Sequence, residues 1–205
     1  MMPLRYWLDF LFPPRTDEAI VRDISDTAFL ALLAPQIVAA TKPETAALFP
    51  FGAAAVRAAI HEAKYRGNER AFELLSIALV DYLHDHDETA RRSAIVPVPL
   101  GKMRLKERGF NQTEKIAKRV AATLGISVDT TLLVRTRETV SQVSLPRAAR
   151  KENMRGAFGA AHPADPSYTY IVIDDVITTG ATLQAAIDAL REAGAQHIIP
   201  LALAH

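Results

Sequence analysis

Tyr170-Ile171-Val172-Ile173-Asp174-Asp175-Val176-Ile177-Thr178-Thr179-Gly180-Ala181-Thr182 runs from an apolar stretch through two adjacent carboxylates into a small, hydroxyl-rich turn. Thr178, Thr179, Gly180, Ala181 and Thr182 can offer successive backbone N–H groups and hydroxyls to an anion. Gly180 permits close approach, and a helix opening at this point adds a favourable field. A terminal phosphate fits such a turn. One step upstream, the Asp174 and Asp175 carboxylates carry acceptors for vicinal ribose hydroxyls, directly or through a magnesium shell. Phosphate beside a diol describes a phosphoribosyl group. Two acids alone often do no more than end a buried strand. The specificity lies in the whole order of apolar strand, Asp-Asp, two aliphatics, Thr-Thr-Gly-x-Thr and helix.

These residues need a strand to carry the acids and a helix to follow the turn. The apolar run reads as a buried parallel strand, and Leu183, Ala186, Ile187 and Leu190 recur at helical spacing after Gly180. His197 to Leu203 is a further apolar strand beyond Gly194, which completes a right-handed strand, helix, strand unit. The acids therefore belong at the carboxyl end of a strand, where open α/β sheets bind ligands. Upstream, Ala53 to Leu83 has helical periodicity interrupted at Lys64-Tyr65-Arg66-Gly67, which predicts two helices. Ala94 to Pro99 is a short strand stopped by its prolines, with a loop after it. Asn111 with Glu114 predicts a capped helix closed by Gly125. Val128 to Val134 reads as another strand, and Arg135 to Arg155 as a long excursion without steady periodicity. Alternating strands and helices predict an α/β fold with a parallel sheet. Pro13-Pro14, Pro35, Pro43 and Pro50 favour short helices and turns over the first fifty residues.

Composition sets limits on partners. With 205 residues and 49% hydrophobic content the chain can bury a full core. Its formal net charge of +1 gives no global pull toward nucleic acid or membrane. The distribution is more telling: residues 91 to 119 hold nine basic side chains against two acids, and residues 135 to 155 hold six against two. The rest of the chain is correspondingly acidic. No cysteine is present, so disulfides and thiolate metal sites are excluded and a cytoplasmic location is expected. The apolar runs near the N-terminus are too short or too interrupted by charge to insert in a membrane.

The signature from Tyr170 to Thr182 resembles the PRPP-binding motif of type I phosphoribosyltransferases. Three further segments narrow the resemblance. Val96-Pro97-Val98-Pro99-Leu100, Arg104 and Arg108-Gly109-Phe110-Asn111-Gln112 look like the signature of the ComF/GntX family of phosphoribosyltransferase-like competence proteins. Lys64-Tyr65-Arg66-Gly67 and Leu11-Phe12-Pro13-Pro14 resemble that family's upstream elements. Thr139, Gln142, Arg150, Asn153 and Gly156-Ala157-Phe158 resemble the pattern before its PRPP strand. One departure is plain: many members carry a cysteine zinc ribbon after the Leu-Phe-Pro-Pro segment, and this chain reads Arg15-Thr16-Asp17-Glu18 there. No zinc is expected.

The resemblance implies a type I phosphoribosyltransferase domain over residues 51–205, a Rossmann-like parallel sheet flanked by helices. Residues 1–50 form a helical appendage in place of the ribbon. It implies PRPP contacts from Asp174, Asp175, Val176, Ile177, Thr178, Thr179, Gly180, Ala181 and Thr182. Asp174 and Asp175 take the catalytic role, and magnesium is held through PRPP, with the two acids reached through water. Leu100, Gly101, Lys102, Arg104 and Arg108 are candidates for a pyrophosphate-contacting loop, and the excursion occupies the place of the flexible hood. Asn111 could be a cap or a ligand contact, and the cap is favoured. Phe110 and Gln112 could wall an acceptor pocket. Lys64 could reach the phosphate region or cover apolar surface with its stem. The activity implied is transfer of the phosphoribosyl group to an unknown nitrogen acceptor. The alternative is an accessory protein of DNA uptake that binds PRPP without turnover, or that handles single-stranded DNA or meets competence-machinery proteins.

Overall fold

Two helices open the described chain, α1 (Thr16–Asp23) and α2 (Asp26–Leu30), the second capped by Ser25, whose Oγ accepts from the Ala28 N–H at 3.1 Å. The computed structural model describes residues 15–85, 92–137 and 147–205. After α2 come strands β1 (Gln36–Val38) and β2 (Thr45–Phe49), then helices α3 (Ala54–Arg66) and α4 (Glu69–Asp85). Strand β3 (Ser93–Pro97) leads through α5 (Lys102–Arg108) and α6 (Gln112–Leu124) to the short β4 (Ser127–Val128). The chain then forms β5 (Leu133–Arg135), α7 (Arg147–Met154), β6 (Phe158–Ala160), β7 (Thr169–Val176), α8 (Ala181–Glu192) and β8 (His197–Ala204).

Six strands lie in the order β1-β2-β8-β7-β3-β4, all parallel except β1, which pairs antiparallel with β2. β5 and β6 form a separate antiparallel pair. Side chains alternate across a strand, so each strand serves two layers. Ile95, Ile171, Ile173, Leu201 and Leu203 join the core formed with α3, α4 and α6. Ala94, Val96, Tyr170, Val172 and Ala202 join the second core, beneath α8 and the β5–β6 pair. Helices on both faces explain why these strands read as continuous apolar runs.

The connections leave β3 and β7 in opposite directions. β3 runs through α6 to β4 at one edge, while β7 runs through α8 to β8 on the other side. Neighbouring strands that diverge in this way open a crevice at their carboxyl ends.

Several local expectations are corrected. Residues 36–38 and 45–49, read as part of a helical appendage, are strands, and β2 pairs with β8 inside the main sheet. Proline spacing misled here because β2 itself, Thr45 to Phe49, is free of proline and fully buried. The single strand read from Val128 to Val134 is two short strands, β4 and β5, in different sheets. Asp129 separates them: its Oδ1 accepts from the N–H of Thr131 and of Leu132 and turns the chain. The loop expected after β3 contains α5, and part of the excursion is α7. Leu11-Phe12-Pro13-Pro14, Thr139 and Gln142 lie outside the described residues.

Candidate active site

A cavity of about 710 Å³ occupies the crevice between β3 and β7. One wall is contiguous in sequence. Asp174 and Asp175 end β7, and Asp174, Asp175, Val176, Ile177, Thr178 and Thr182 all line the cavity. The turn that follows frames an adjoining recess of about 20 Å³, bounded by Asp174 and by every residue from Val176 to Leu183. That volume admits one small polar group. Within the turn, Thr179 Oγ1 is buried and has no hydrogen-bond partner. A buried hydroxyl left unsatisfied costs about 1–3 kcal/mol, so its presence points to a missing polar partner.

Gly180 also makes a tight contact within the protein. Its φ of 71° lies in the left-handed region, and a Cβ there would stand 2.8 Å from both the carbonyl oxygen and the Cβ of Ala40. A close approach to Gly180 is made by the β1–β2 connection. Lys42 reinforces that contact, its N–H donating to Gln184 Oε1 at 2.7 Å on the first turns of α8.

The opposite wall is assembled from distant segments: Lys64 from α3, Val98, Pro99 and Leu100 after β3, Arg104 and Arg108 from α5, Gln112 and Thr113 from α6, and Arg135 from β5. Lys64 Nζ lies 2.8 Å from Asp175 Oδ2, and Gln112 Nε2 donates to the same oxygen at 2.6 Å. Gln112 Oε1 in turn accepts from Arg108 Nη1 at 3.0 Å, while the Arg108 guanidinium lies 4.9 Å over the Tyr65 ring centre. Arg135 covers the Phe158 ring at 5.4 Å.

The two acids sit in unlike surroundings. Asp175, 7% exposed, is held by Lys64 and Gln112. Asp174 Oδ1 accepts from the Asp175 N–H at 2.8 Å. Burial, and then repulsion from the Asp175 carboxylate, push Asp174 up to about 7, while the Asp175 N–H, Lys64 and Arg135 pull the other way. A carboxyl poised there can accept or hold a proton near neutral pH.

Asp174 through Thr182, Leu100, Arg104 and Arg108 all border the cavity or its recess. Gly101 and Lys102 are not among the lining residues; Gly101 instead precedes α5 with an ordinary φ of −64°, and Lys102 begins that helix. Asn111 is the cap: its Oδ1 accepts from the Thr113 N–H, and its Nδ2 donates to the Val98 carbonyl at 3.0 Å. Phe110 packs edge-on to Phe72 and beneath Lys115, away from the cavity. Arg135 was missed. It stands at the edge of a basic stretch, and no local pattern separates it from its neighbours. Phe51 and His205, also unforeseen, line the cavity beyond β2 and β8.

The Asp174–Asp175 pair offers hard carboxylate oxygens, the donor type that suits magnesium. Among the described residues, no group of three or more His, Asp or Glu is placed to hold a metal by itself. No helix among the described residues is long and apolar enough to cross a membrane.

Comparison with known proteins agrees with this architecture. The model of the phosphoribosyl transferase domain matches residues 112–205. The chain is 33% identical over 139 residues to "DNA utilization protein YhgH" of Escherichia coli K12, covering 66% of this chain and 61% of that protein. "Competence protein F" of Haemophilus influenzae is 32% identical over 127 residues, covering 61% of this chain and 55% of that protein. The chain thus spans less than two thirds of the length of these curated relatives. Among solved structures, the glutamine PRPP amidotransferase of Bacillus subtilis gives a TM-score of 0.40 at 18% identity, over 70% of this chain and 30% of that one. That last likeness is too slight to add to the argument.

Proposed function

We propose that this homologue of YhgH and competence protein F, whose residues 112–205 are a phosphoribosyl transferase domain of the type I fold, binds PRPP with magnesium and transfers the phosphoribosyl group to a nitrogen acceptor. The observation that carries the reading is the recess at the head of α8, framed by Val176 to Leu183 with the unpartnered Thr179 hydroxyl buried in that turn, beside the Asp174–Asp175 pair. An anion acceptor and a diol acceptor stand side by side, as the 5′-phosphate and ribose of PRPP require.

In this reading the N–H groups and hydroxyls of Thr178 to Thr182 hold the 5′-phosphate, aided by the field of α8. Asp175, fixed by Lys64 and Gln112, accepts a ribose hydroxyl. Asp174 takes a second hydroxyl or the proton that the attacking nitrogen releases. Departure of pyrophosphate from C1 builds positive charge on the ribose and negative charge on the leaving group. Arg104, Arg108 and Arg135, all on the cavity wall, stabilise the latter. A magnesium ion, reached by Asp174 and Asp175 through water, would neutralise pyrophosphate oxygens when bound.

Calorimetric titration of PRPP with and without magnesium, followed by a pyrophosphate-release screen over bases and amines, tests the proposal. Magnesium-dependent binding with release is the expected result; absence of PRPP binding would refute it.

A second reading, an accessory role in DNA uptake, rests on α5. Lys102, Arg104, Lys106 and Arg108 fall within its seven residues, beside the exposed Met103, Leu105 and Tyr65. The relatives' names, DNA utilization protein and competence protein F, favour it as well. Strand binding through this surface would weaken steeply with salt, whereas PRPP binding would follow magnesium.

A further inference from the structure

Asp175 is clamped through one oxygen. Lys64 Nζ lies 2.8 Å from Oδ2 and Gln112 Nε2 donates to that same atom at 2.6 Å, which leaves Oδ1 to meet a ligand. The far end of the Gln112 amide is also engaged, its Oε1 accepting from Arg108 Nη1 at 3.0 Å. Arg108 is steadied by the Tyr65 ring, 4.9 Å from the guanidinium, and Tyr65 directly follows Lys64 on α3. The contacts close a ring through α3, β7, α6 and α5.

The orientation of the amide is forced by chemistry. An ionised carboxylate only accepts and a guanidinium only donates, so a single placement of N and O satisfies both neighbours. Gln112 is 3% exposed and Asp175 7%, so water is poorly placed to replace either partner.

From this geometry we infer that Gln112 and Lys64 are positioning residues: they aim the Asp175 carboxylate at the ribose and tie it to Arg108, so that acid and arginine face the substrate at one set separation. The role rests on the PRPP reading of the cavity. Lys64 supplies a charge that orients Asp175; Gln112 supplies direction and the link across to α5. Neither needs to touch the reacting atoms. Correct placement of groups that do is worth orders of magnitude in rate, and a small misplacement is felt strongly.

Two substitutions at Gln112 separate the halves of the link. Gln112→Glu keeps an acceptor for Arg108 but puts a second negative charge against Asp175, whereas Gln112→Met keeps the volume and removes both bonds. Titration of PRPP with magnesium should show affinity falling about tenfold for Gln112→Met and further for Gln112→Glu. Lys64→Arg should retain most of the affinity that Lys64→Met loses. Thermal melts of each variant identify any that fail to fold. Equal stability losses with PRPP affinity unchanged across the series would overturn the inference, because a merely structural network predicts that pattern.

A second measurement needs no PRPP. In nitrogen-15 NMR of the ligand-free protein, the Gln112 side-chain amide protons should exchange slowly with solvent and shift in Lys64→Met. Exchange as fast as that of an exposed amide overturns the clamp even if PRPP binds. A protected amide in a wild-type chain that binds no PRPP overturns the PRPP reading, and with it the ribose role, while leaving the clamp intact.

Discussion

The two walls of the cavity are built in opposite ways. The wall formed by the end of β7, its turn and the head of α8 is one unbroken stretch from Asp174 to Thr182, whereas the facing wall draws Lys64, Arg104, Arg108, Gln112 and Arg135 from α3, α5, α6 and β5. The first wall supplies geometry that the backbone largely dictates: a strand end, a left-handed glycine and a helix start. The second supplies charges whose placement depends on how four elements pack. The contiguous wall is therefore the place where substitutions should act on ligand binding directly, and the assembled wall the place where they act through orientation.

The largest effect should come from removing both acids on the contiguous wall. Asp174→Asn with Asp175→Asn is expected to weaken PRPP binding at least about a hundredfold, since in the proposed function each acid would form charge-assisted bonds to the ligand. The circular dichroism spectrum should stay that of the folded chain. Unchanged affinity by calorimetry would remove the distinction between the walls.

Next comes Gly180→Ala. With φ at 71° and the Ala40 carbonyl 2.8 Å from the added Cβ, stability should fall by about 2–4 kcal/mol in urea denaturation. An unshifted midpoint would show that the β1–β2 connection yields, and that the turn is not held against it.

Thr179→Val should separate function from stability. Replacing an unsatisfied buried hydroxyl with a methyl of similar size should leave the free protein equally stable or slightly more so, while PRPP affinity falls about tenfold. A destabilised variant with full affinity would mean that the hydroxyl has a protein partner instead.

A different kind of effect is expected in the pH dependence of stability. Asp174 is raised to about 7 in the folded chain from an ordinary 3.8, so between those values the folded state binds more protons than the unfolded state. Stability of the parent relative to Asp174→Asn should therefore be greatest below about pH 4, decline through neutral pH and level off above about 7. Asp175, Lys64 and Arg135 are the charged groups that set the size of this decline. A flat difference between parent and variant across that range in thermal melts would place Asp174 in an unperturbed environment.

Much of the sheet was legible because its strands are buried on both faces and so read as apolar runs, β7 and β8 most clearly. The paired helices α3 and α4 were legible from apolar spacing and from Gly67, which ends α3 in the left-handed region at φ 61°. The strands between residues 36 and 49 were not, because a short exposed edge strand and a short buried one among prolines carry no periodic signal. β2 is a strand because β8 offers it a parallel edge. α5 was hidden for a related reason: none of its residues is buried, so no apolar stripe marks it. In the site, the motif reading located the acids and the turn but not the packing of Ala40 against Gly180, since a tertiary neighbour leaves no trace near residue 180.

By itself the sequence determined the order of parts from Tyr170 to Thr182, because a strand end, a turn and a helix start are local and each residue type there has a backbone reason to be present. It also determined the α/β alternation, through the period of its apolar residues. Only the tertiary structure decided which of the many basic residues face the acids, that Lys64 and Gln112 share one oxygen of Asp175, and that Asp174 is left to bear the cost of burial and of its neighbour's charge. Those outcomes depend on distances between elements far apart in the chain. Coulomb energies, hydrogen bonds and burial vary over a few ångströms, a scale that composition and spacing along the chain do not encode.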